Sequence, residues 1–488
     1  MNWTLFIFVI VYLIGTLMIG VWAGRHIKTT SDFALAGRNL PLVMIVTTTF
    51  ATWFGAETVM GIPARFVQGG LNAIVEDPFG AGTCLILVGA FFAARLYRMN
   101  LLTIGDFYRQ RFGKGVEVFC SVAIILSYLG WVAAQITALG LVFNVLSNGE
   151  ISQHAGMIIG TIAVLIYVVI GGFLAVAWTD FIQMIVLVVG MSAIAVFAAH
   201  LAGGAGKVLA VAGSRDLFRF WPAPSFRDMV FFIAAGITMM LGSIPQQDVF
   251  QRVMSAKDAR TAQRGAMIGG AAYILFAFVP MFIVTAAVVV MGDSALQMAA
   301  NDYQKVLPTF IMGHMGLPLQ ILFFGALLSA IKSTSSATLL APSTSFVENI
   351  LKNLYPSMSD RQLLVAMRTT ILLFSLGVLA YAIAMEGTSI YELVSEAYQV
   401  TLVGAFVPLL MGLYWKRATT QGAALSILLG IGAWILFFHD VTTLGEAFPG
   451  QLAGLLMAFV GMVAGSLAPQ WLPDHRGHTL HLAPKRAG

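Results

Sequence analysis

The sequence predicts an all-α polytopic membrane protein with about thirteen transmembrane helices and an internal inverted repeat, and three observations carry that reading. The first is composition. Of 488 residues, 59% are hydrophobic and only 10% are charged, where soluble domains carry roughly 25% charged residues. The mean hydropathy is +0.87. The second is the recurrence of apolar windows of about 20 residues, each enough to span a bilayer. The third is a pair of interrupted spans. One reads TTTFATWFGAETVMGIPARF, with Gly55, Gly61 and Pro63; the other reads AAGITMMLGSIPQQDVFQR, with Gly236, Gly242 and Pro245. Broken helices in corresponding positions of two halves mark an inverted repeat with a binding site at its centre. Breaking a helix in lipid also frees carbonyls that need a partner.

In chain order the predicted spans are 3–23, 41–64, 72–94, 116–146, 155–174, 176–200, 228–246, 265–291, 318–346, 367–385, 389–414, 419–438 and 448–468. The first lacks a basic leader region and is followed by Arg25, His26 and Lys28, so it reads as a retained helix with its N-terminus outside. On that orientation, 20 of the 27 lysines and arginines fall inside and six outside, with Lys332 left within a span. That bias explains the net charge of +5 as a topology signal, without a nucleic-acid partner. Segments 203–227 and 292–317 are the longest outside connections and have room for short surface helices. Cys84 and Cys120 lie in apolar segments, which excludes a disulfide scaffold. The tail carries His475, His478 and His481 and reads as a solvated cytoplasmic tail. No P-loop, GxSxG or HExxH motif occurs, so nothing points to ATP-driven pumping or to an enzyme.

The chemistry concentrates in FGALLSAIKSTSSATLLAPSTS, residues 324–345. Nine hydroxyl side chains crowd this span around Lys332, its only charge. Serine and threonine in membrane helices commonly bond back to their own carbonyls, but the cluster also offers the oxygen ligands that a hard cation takes. Carboxylates within or at the ends of spans are Glu57, Glu76, Asp77, Asp180 and Glu396. Against one lysine they leave an acidic surplus in the core. That surplus favours an amine-bearing or zwitterionic solute, with Trp53 and Trp131 as cation–π faces.

These residues resemble the sodium/solute symporter family. The resemblance runs from about Trp3 to Trp415 and is carried by SDFALAGRNLP at 31–41, GGFLAVAWTDFIQ at 171–183 and AIKSTSSATLL at 330–340. ATWFG at 51–55 and SIPQQDVFQRVMSA at 243–256 are similar to its choline branch, and GGFLAVAWTDFIQ to its proline branch. The resemblance implies a leucine-transporter-like core of five plus five helices. The expected organisation is an extra N-terminal helix (1–24), repeats at 41–200 and 228–414, two further helices at 419–468 and the tail at 469–488. It implies a sodium site from the carbonyls of Ala51, Phe54 and Ala330 and the hydroxyls of Ser333 and Thr334, with Asp180 matching a family aspartate nearby. It also implies a solute pocket involving Trp53, Glu57, Asp77, Trp131, Gln246 and Tyr398.

Lys332 departs from the family pattern, which has a small or apolar residue there. An ammonium about 6 Å from a sodium ion would cost roughly 3 kcal/mol at an effective dielectric near 20. Either the lysine turns away, onto Asp180 or Glu57 for instance, or it titrates and couples transport to protons. The expectation is therefore a sodium-coupled symporter of a small organic solute, working by alternating access in the cell membrane with no obligatory protein partner. A proton-coupled version using Lys332 and a solute sensor are the alternatives.

Overall fold

The computed structural model describes residues 3–25, 27, 29–438 and 444–473. The three tail histidines and the rest of the tail beyond residue 473 lie outside them. The described residues form helices joined by short turns, with one isolated β-bridge between Leu40 and Ala256. Nine of these helices are long and apolar enough to cross a membrane, and eleven when each of two bent pairs is taken as one span. The remaining expected spans are shorter apolar helices: Gln153–Ile166, the first part of the stretch Gln153–Leu201 that is kinked at Gly172, and Thr420–Leu436.

Both interrupted spans are broken. Leu42–Trp53 and Glu57–Gly69 meet at 58°, and Phe226–Gly242 and Gln247–Ser255 at 46°. The first break falls at Phe54–Ala56. Gly61 and Pro63 do not interrupt the helix, which runs as a π-turn over Glu57–Gly61 directly into the α-helix Ile62–Gly69 with Pro63 at its start. In the second, Gly236 is helical and the chain opens at Ser243–Gln246. Pro245 has no amide hydrogen to donate there and disfavours helix at the residue before it.

The spans at 42–201 and 226–414 each begin with a broken helix. The N-terminal helix Trp3–Gly24 lies outside both, against Gln153–Leu201 and Leu317–Phe346. The longest connections carry the helices Ala205–Ser214, Asp293–Asp302 and Val306–His314.

The stretches 31–41 and 171–183 meet where the long helix Gln153–Leu201 bends. Gly172 has φ 51°, and a Cβ there would lie 2.7 Å from the Phe33 ring and 2.8 Å from its carbonyl oxygen. The segment around Phe33 continues to Arg38, whose Nε donates to the Met254 carbonyl at 3.1 Å. The 31–41 segment thereby ties the long helix to the end of the second broken span. Close packing also sets the centre of the bundle. A Cβ on Gly130 would lie 2.2 Å from the Leu393 carbonyl oxygen, and one on Gly242 2.5 Å from that of Tyr398. Helices Lys114–Leu146 and Phe226–Gly242 therefore both press directly on Ile390–Thr401.

Candidate functional site

A broken helix leaves carbonyls without amide donors, and the first break distributes its own unevenly. Phe54 N–H still bonds to the Phe50 carbonyl at 3.0 Å. Beyond it, the Thr52 carbonyl accepts from Thr334 Oγ1 at 2.7 Å and the Trp53 carbonyl from Thr58 Oγ1 at 3.1 Å. The carbonyls of Ala51 and Phe54 take no such hydroxyl. Gly55 stands in the gap because a methyl group there would lie 2.5 Å from Glu57 Oε2 and 2.6 Å from Thr334 Oγ1. The bare backbone lets a carboxylate and a hydroxyl approach the same point.

The hydroxyl-rich helix Leu317–Phe346 sorts its side chains in the same way. Ser329, Ser335, Ser336, Thr338, Ser343 and Thr344 each bond back to a carbonyl three or four residues earlier. Ser333 and Thr334 instead bond across to other helices. Ser333 Oγ donates to Asp180 Oδ1 at 2.6 Å, and Thr334 goes to the break. The back-bonds occupy the carbonyls of Ile331, Ser333 and Thr334, but none falls on Ala330. The five oxygens of Ala51, Phe54, Ala330, Ser333 and Thr334 keep lone pairs for a small cation, and that donor set fits a hard monovalent ion.

Asp180 is fully buried, and its second oxygen accepts from Thr48 Oγ1 at 2.5 Å. It stands inside the helix Gln153–Leu201. Lys332 meets the N-terminal helix. Its ammonium donates to Thr16 Oγ1 on the N-terminal helix, where Tyr12 also bonds Ser329 at 2.7 Å and accepts from Gln183 at 3.2 Å.

The inventory of core charges expected from sequence is corrected by Arg252. Placed by the charge tally in an inside segment, it is only 1% exposed, because Gln247–Ser255 turns back into the protein after the second break. Its guanidinium donates to the Thr48 carbonyl at 3.2 Å, to the Asp248 carbonyl at 2.6 Å and to Thr52 Oγ1. Asp180 and Asp248 are the carboxylates whose charges it balances. Among the described residues the buried cations are Arg111, Arg252 and Lys332, and Arg252 ties the second broken span to the first.

Beside the break, the rings of Trp53, Trp131 and Tyr398 pack against one another. Their centroids are 5.6 Å apart for Trp53–Trp131 and Trp131–Tyr398, and 6.2 Å for Trp53–Tyr398. Carboxylates fix the indoles: Trp131 Nε1 donates to Glu57 at 3.0 Å and Trp53 Nε1 to Asp248 at 3.2 Å. Gln135 completes the Glu57 contacts at 2.7 Å. Gln246 donates to Ser127 at 2.7 Å, which leaves its Oε1 and the Tyr398 hydroxyl buried without partners. Asp77 is set further along and accepts from Tyr273, whose oxygen also meets Thr58.

The model of the sodium:solute symporter family matches residues 33–430. The chain belongs to the sodium:solute symporter family. Sodium is its coupling ion and symport of a solute its activity. The high-affinity proline transporter PutP of Bacillus subtilis (strain 168) is 28% identical, over 94% of this chain and 98% of that protein. The high-affinity choline transporter 1 of Caenorhabditis elegans is 26% identical, over 95% and 87% respectively. A sodium-coupled sialic acid symporter in a substrate-bound outward-open state superposes with a TM-score of 0.82 at 20% identity, covering 95% of this chain and 97% of that one. That likeness shows the leucine-transporter-like fold for the symporter.

Sequence reasoning missed Thr48, Thr52, Tyr128, Gln135, Asp248, Arg252 and Tyr273. One signal was available. Asp248 and Arg252 are four residues apart in QQDVFQR, the spacing of a helical ion pair, directly after the predicted break.

The division of hydroxyls has a direct test. Ser333→Ala combined with Thr334→Ala should raise the sodium concentration for half-maximal uptake by at least about tenfold, since no water replaces two of five candidate ligands in the bilayer core. Ser335→Ala combined with Ser336→Ala, which removes only back-bonds, should leave it within about twofold. Sodium titration of uptake in proteoliposomes reads both.

Proposed function

We propose that the symporter takes up a small solute bearing an ammonium, quaternary ammonium or zwitterionic group, held in the box of Trp53, Trp131 and Tyr398, while sodium enters at the first break. The observation that carries this reading is the pair of unpartnered buried polar atoms, Tyr398 Oη and Gln246 Oε1, beside aromatic faces whose planes are pinned by Glu57 and Asp248. A cationic nitrogen gains cation–π attraction from those faces. Glu57 supplies the carboxylate nearest to it. The relatives named for choline and proline carry solutes of this chemistry.

Ala51, Phe54, Ala330, Ser333 and Thr334 are the proposed sodium ligands. Asp180 acts through Ser333 and Thr48, orienting hydroxyl lone pairs toward the ion, and Arg252 neutralises its charge in the core. Glu57 joins the two sites, because it touches Trp131 on one side and the space at Gly55 and Thr334 on the other. Solute and sodium then favour the same arrangement of the broken span, which is the condition for coupling. Lys332, turned to Thr16, leaves that arrangement to sodium.

We also place the N-terminus outside, on the charge bias of the loops. Labelling of intact cells from outside should reach Ser214→Cys and miss Lys257→Cys, both exposed positions. The reverse pattern contradicts the orientation.

Uptake in proteoliposomes tests the solute and ion readings together. With choline and L-proline as probes, Trp53→Ala should weaken half-saturation by about 1–2 kcal/mol, roughly five- to thirtyfold. Preference for simple monocarboxylates, or unchanged affinity in that variant, contradicts the aromatic box. Lys332→Ala should remain sodium-dependent. Accumulation by the wild type on a pH step without sodium contradicts the ion assignment.

A further inference from the structure

The helix Asp360–Ala384 carries two arginines on a surface that is otherwise largely apolar. Its sequence, DRQLLVAMRTTILLFSLGVLAYAIA, places Arg361 in the first turn and Arg368 two turns further in. Arg361, Val365, Arg368 and Leu372 are spaced i, i+4, i+7, i+11 and so form one stripe, which Leu376 continues. Val365 is 56% exposed, Leu372 42% and Leu376 53%. On a helix that crosses the bilayer such side chains meet lipid tails. The stripe is therefore an apolar track that ends in two guanidinium groups. None of its residues belongs to the aromatic box or to the proposed sodium ligands.

We propose that this stripe binds an anionic phospholipid, with the phosphodiester on Arg361 and Arg368 and an acyl chain along Val365, Leu372 and Leu376. The observation that marks a ligand is Arg368. Its Nε is buried without a hydrogen-bond partner, although the side chain as a whole is only half-buried. A charged donor withdrawn from water and left unfilled is costly. A phosphate supplies acceptor oxygens in the planar geometry that a guanidinium prefers. Phe33 covers one face of the group, with its ring centroid 6.0 Å from the guanidinium carbon. That contact steadies the guanidinium but gives its edge no acceptor. Helix side chains lean toward the N-terminus, so Arg368 leans toward Arg361, about 10 Å away along the axis. Both can then meet one headgroup at the membrane surface. Asp360, the only acidic residue of the helix, accepts at Oδ1 from Thr30 at 3.0 Å.

The position of the site gives the lipid a role. Thr30 and Phe33 belong to the segment that continues to Arg38 and the Met254 carbonyl, and Phe33 packs at the Gly172 bend. A headgroup beside the Phe33 ring rests against the strut between the long helix and the second broken span. Bound lipid braces that strut, because whatever binds a folded arrangement stabilises it. The charge bias of the loops puts this end of the helix inside, where basic pockets between helices attract anionic headgroups.

Native mass spectrometry of the symporter released from nanodiscs of mixed phosphatidylglycerol and phosphatidylcholine reads which lipid each molecule keeps. The wild type should keep phosphatidylglycerol in preference to phosphatidylcholine. Arg361→Gln combined with Arg368→Gln should weaken that preference by at least about tenfold. Arg361→Lys combined with Arg368→Lys should retain part of it, since the charge survives without the fork. Lys416→Gln combined with Arg417→Gln, an exposed basic pair outside the stripe, should leave it within about twofold. Hydrogen exchange in intact nanodiscs gives a second reading. Phosphatidylglycerol should slow exchange of residues 29–38 in the wild type and not in the double glutamine variant of the stripe. Equal retention of the two lipids by the wild type overturns the site. So does a preference that the stripe variant keeps, or that the 416–417 variant loses as fully. Inorganic phosphate that slows exchange of residues 29–38 equally well in phosphatidylcholine nanodiscs overturns the lipid as occupant. These readings need neither solute nor sodium, so they stand or fall apart from the aromatic box.

Discussion

The break at Gly55 is the constraint on which the rest of the structure depends. A helix that stops inside a bilayer must find partners for its last carbonyls, and here the neighbouring helix supplies one hydroxyl, from Thr334, while Thr58 supplies another from the far side of the break. The carbonyls left over, of Ala51 and Phe54, point the backbone's remaining need at a cation. Glycine is required because Glu57 and Thr334 both close on the place a side chain would fill. The proposed ion and solute sites are thus two sides of one defect in one helix.

Charge holds that defect in place. Arg252 reaches from the second broken span to the Thr48 carbonyl and the Thr52 hydroxyl of the first, and its own helix brings Asp248 to Trp53. Tyr128 donates to Asp248 at 2.6 Å and stacks on Trp131 with centroids 6.2 Å apart. The aromatic faces are therefore set by the same buried charges that join the two broken spans. Moving one span against the other would shift the proposed box and the proposed sodium ligands together, which gives a physical reason for solute and ion to travel as a unit. Removing one member of such a buried network leaves another charge uncompensated, a far larger penalty than the net worth of the pair.

How much of this was legible in the sequence followed how local each cause was. The breaks were legible because glycine and proline act on their own backbone: Gly55 and Pro245 mark the two openings. Gly61, Pro63 and Gly236 carry the same signal, yet the helix runs on through them. The hydroxyl cluster of residues 329–345 was visible as a cluster, but the distinction between Ser333 with Thr334 and their back-bonded neighbours depends on Asp180 and Thr52, more than 150 residues away. Arg252 was hidden by its position. At the end of an apolar stretch it counted as a loop charge, and only the fold shows that stretch turning inward. Lys332 was visible as an anomaly, while its partner Thr16 lies 316 residues away on a helix outside the repeat.

The central claim is that sodium binds where the first broken span meets the hydroxyl-rich helix. Hydrogen exchange of the symporter in nanodiscs, compared in sodium and in potassium at equal ionic strength, tests it most directly. The account predicts that sodium slows exchange in peptides covering residues 50–60 and 329–338 and leaves those of the N-terminal helix around Thr16 unchanged. Protection confined to other segments, or equal exchange in the two salts, would contradict it.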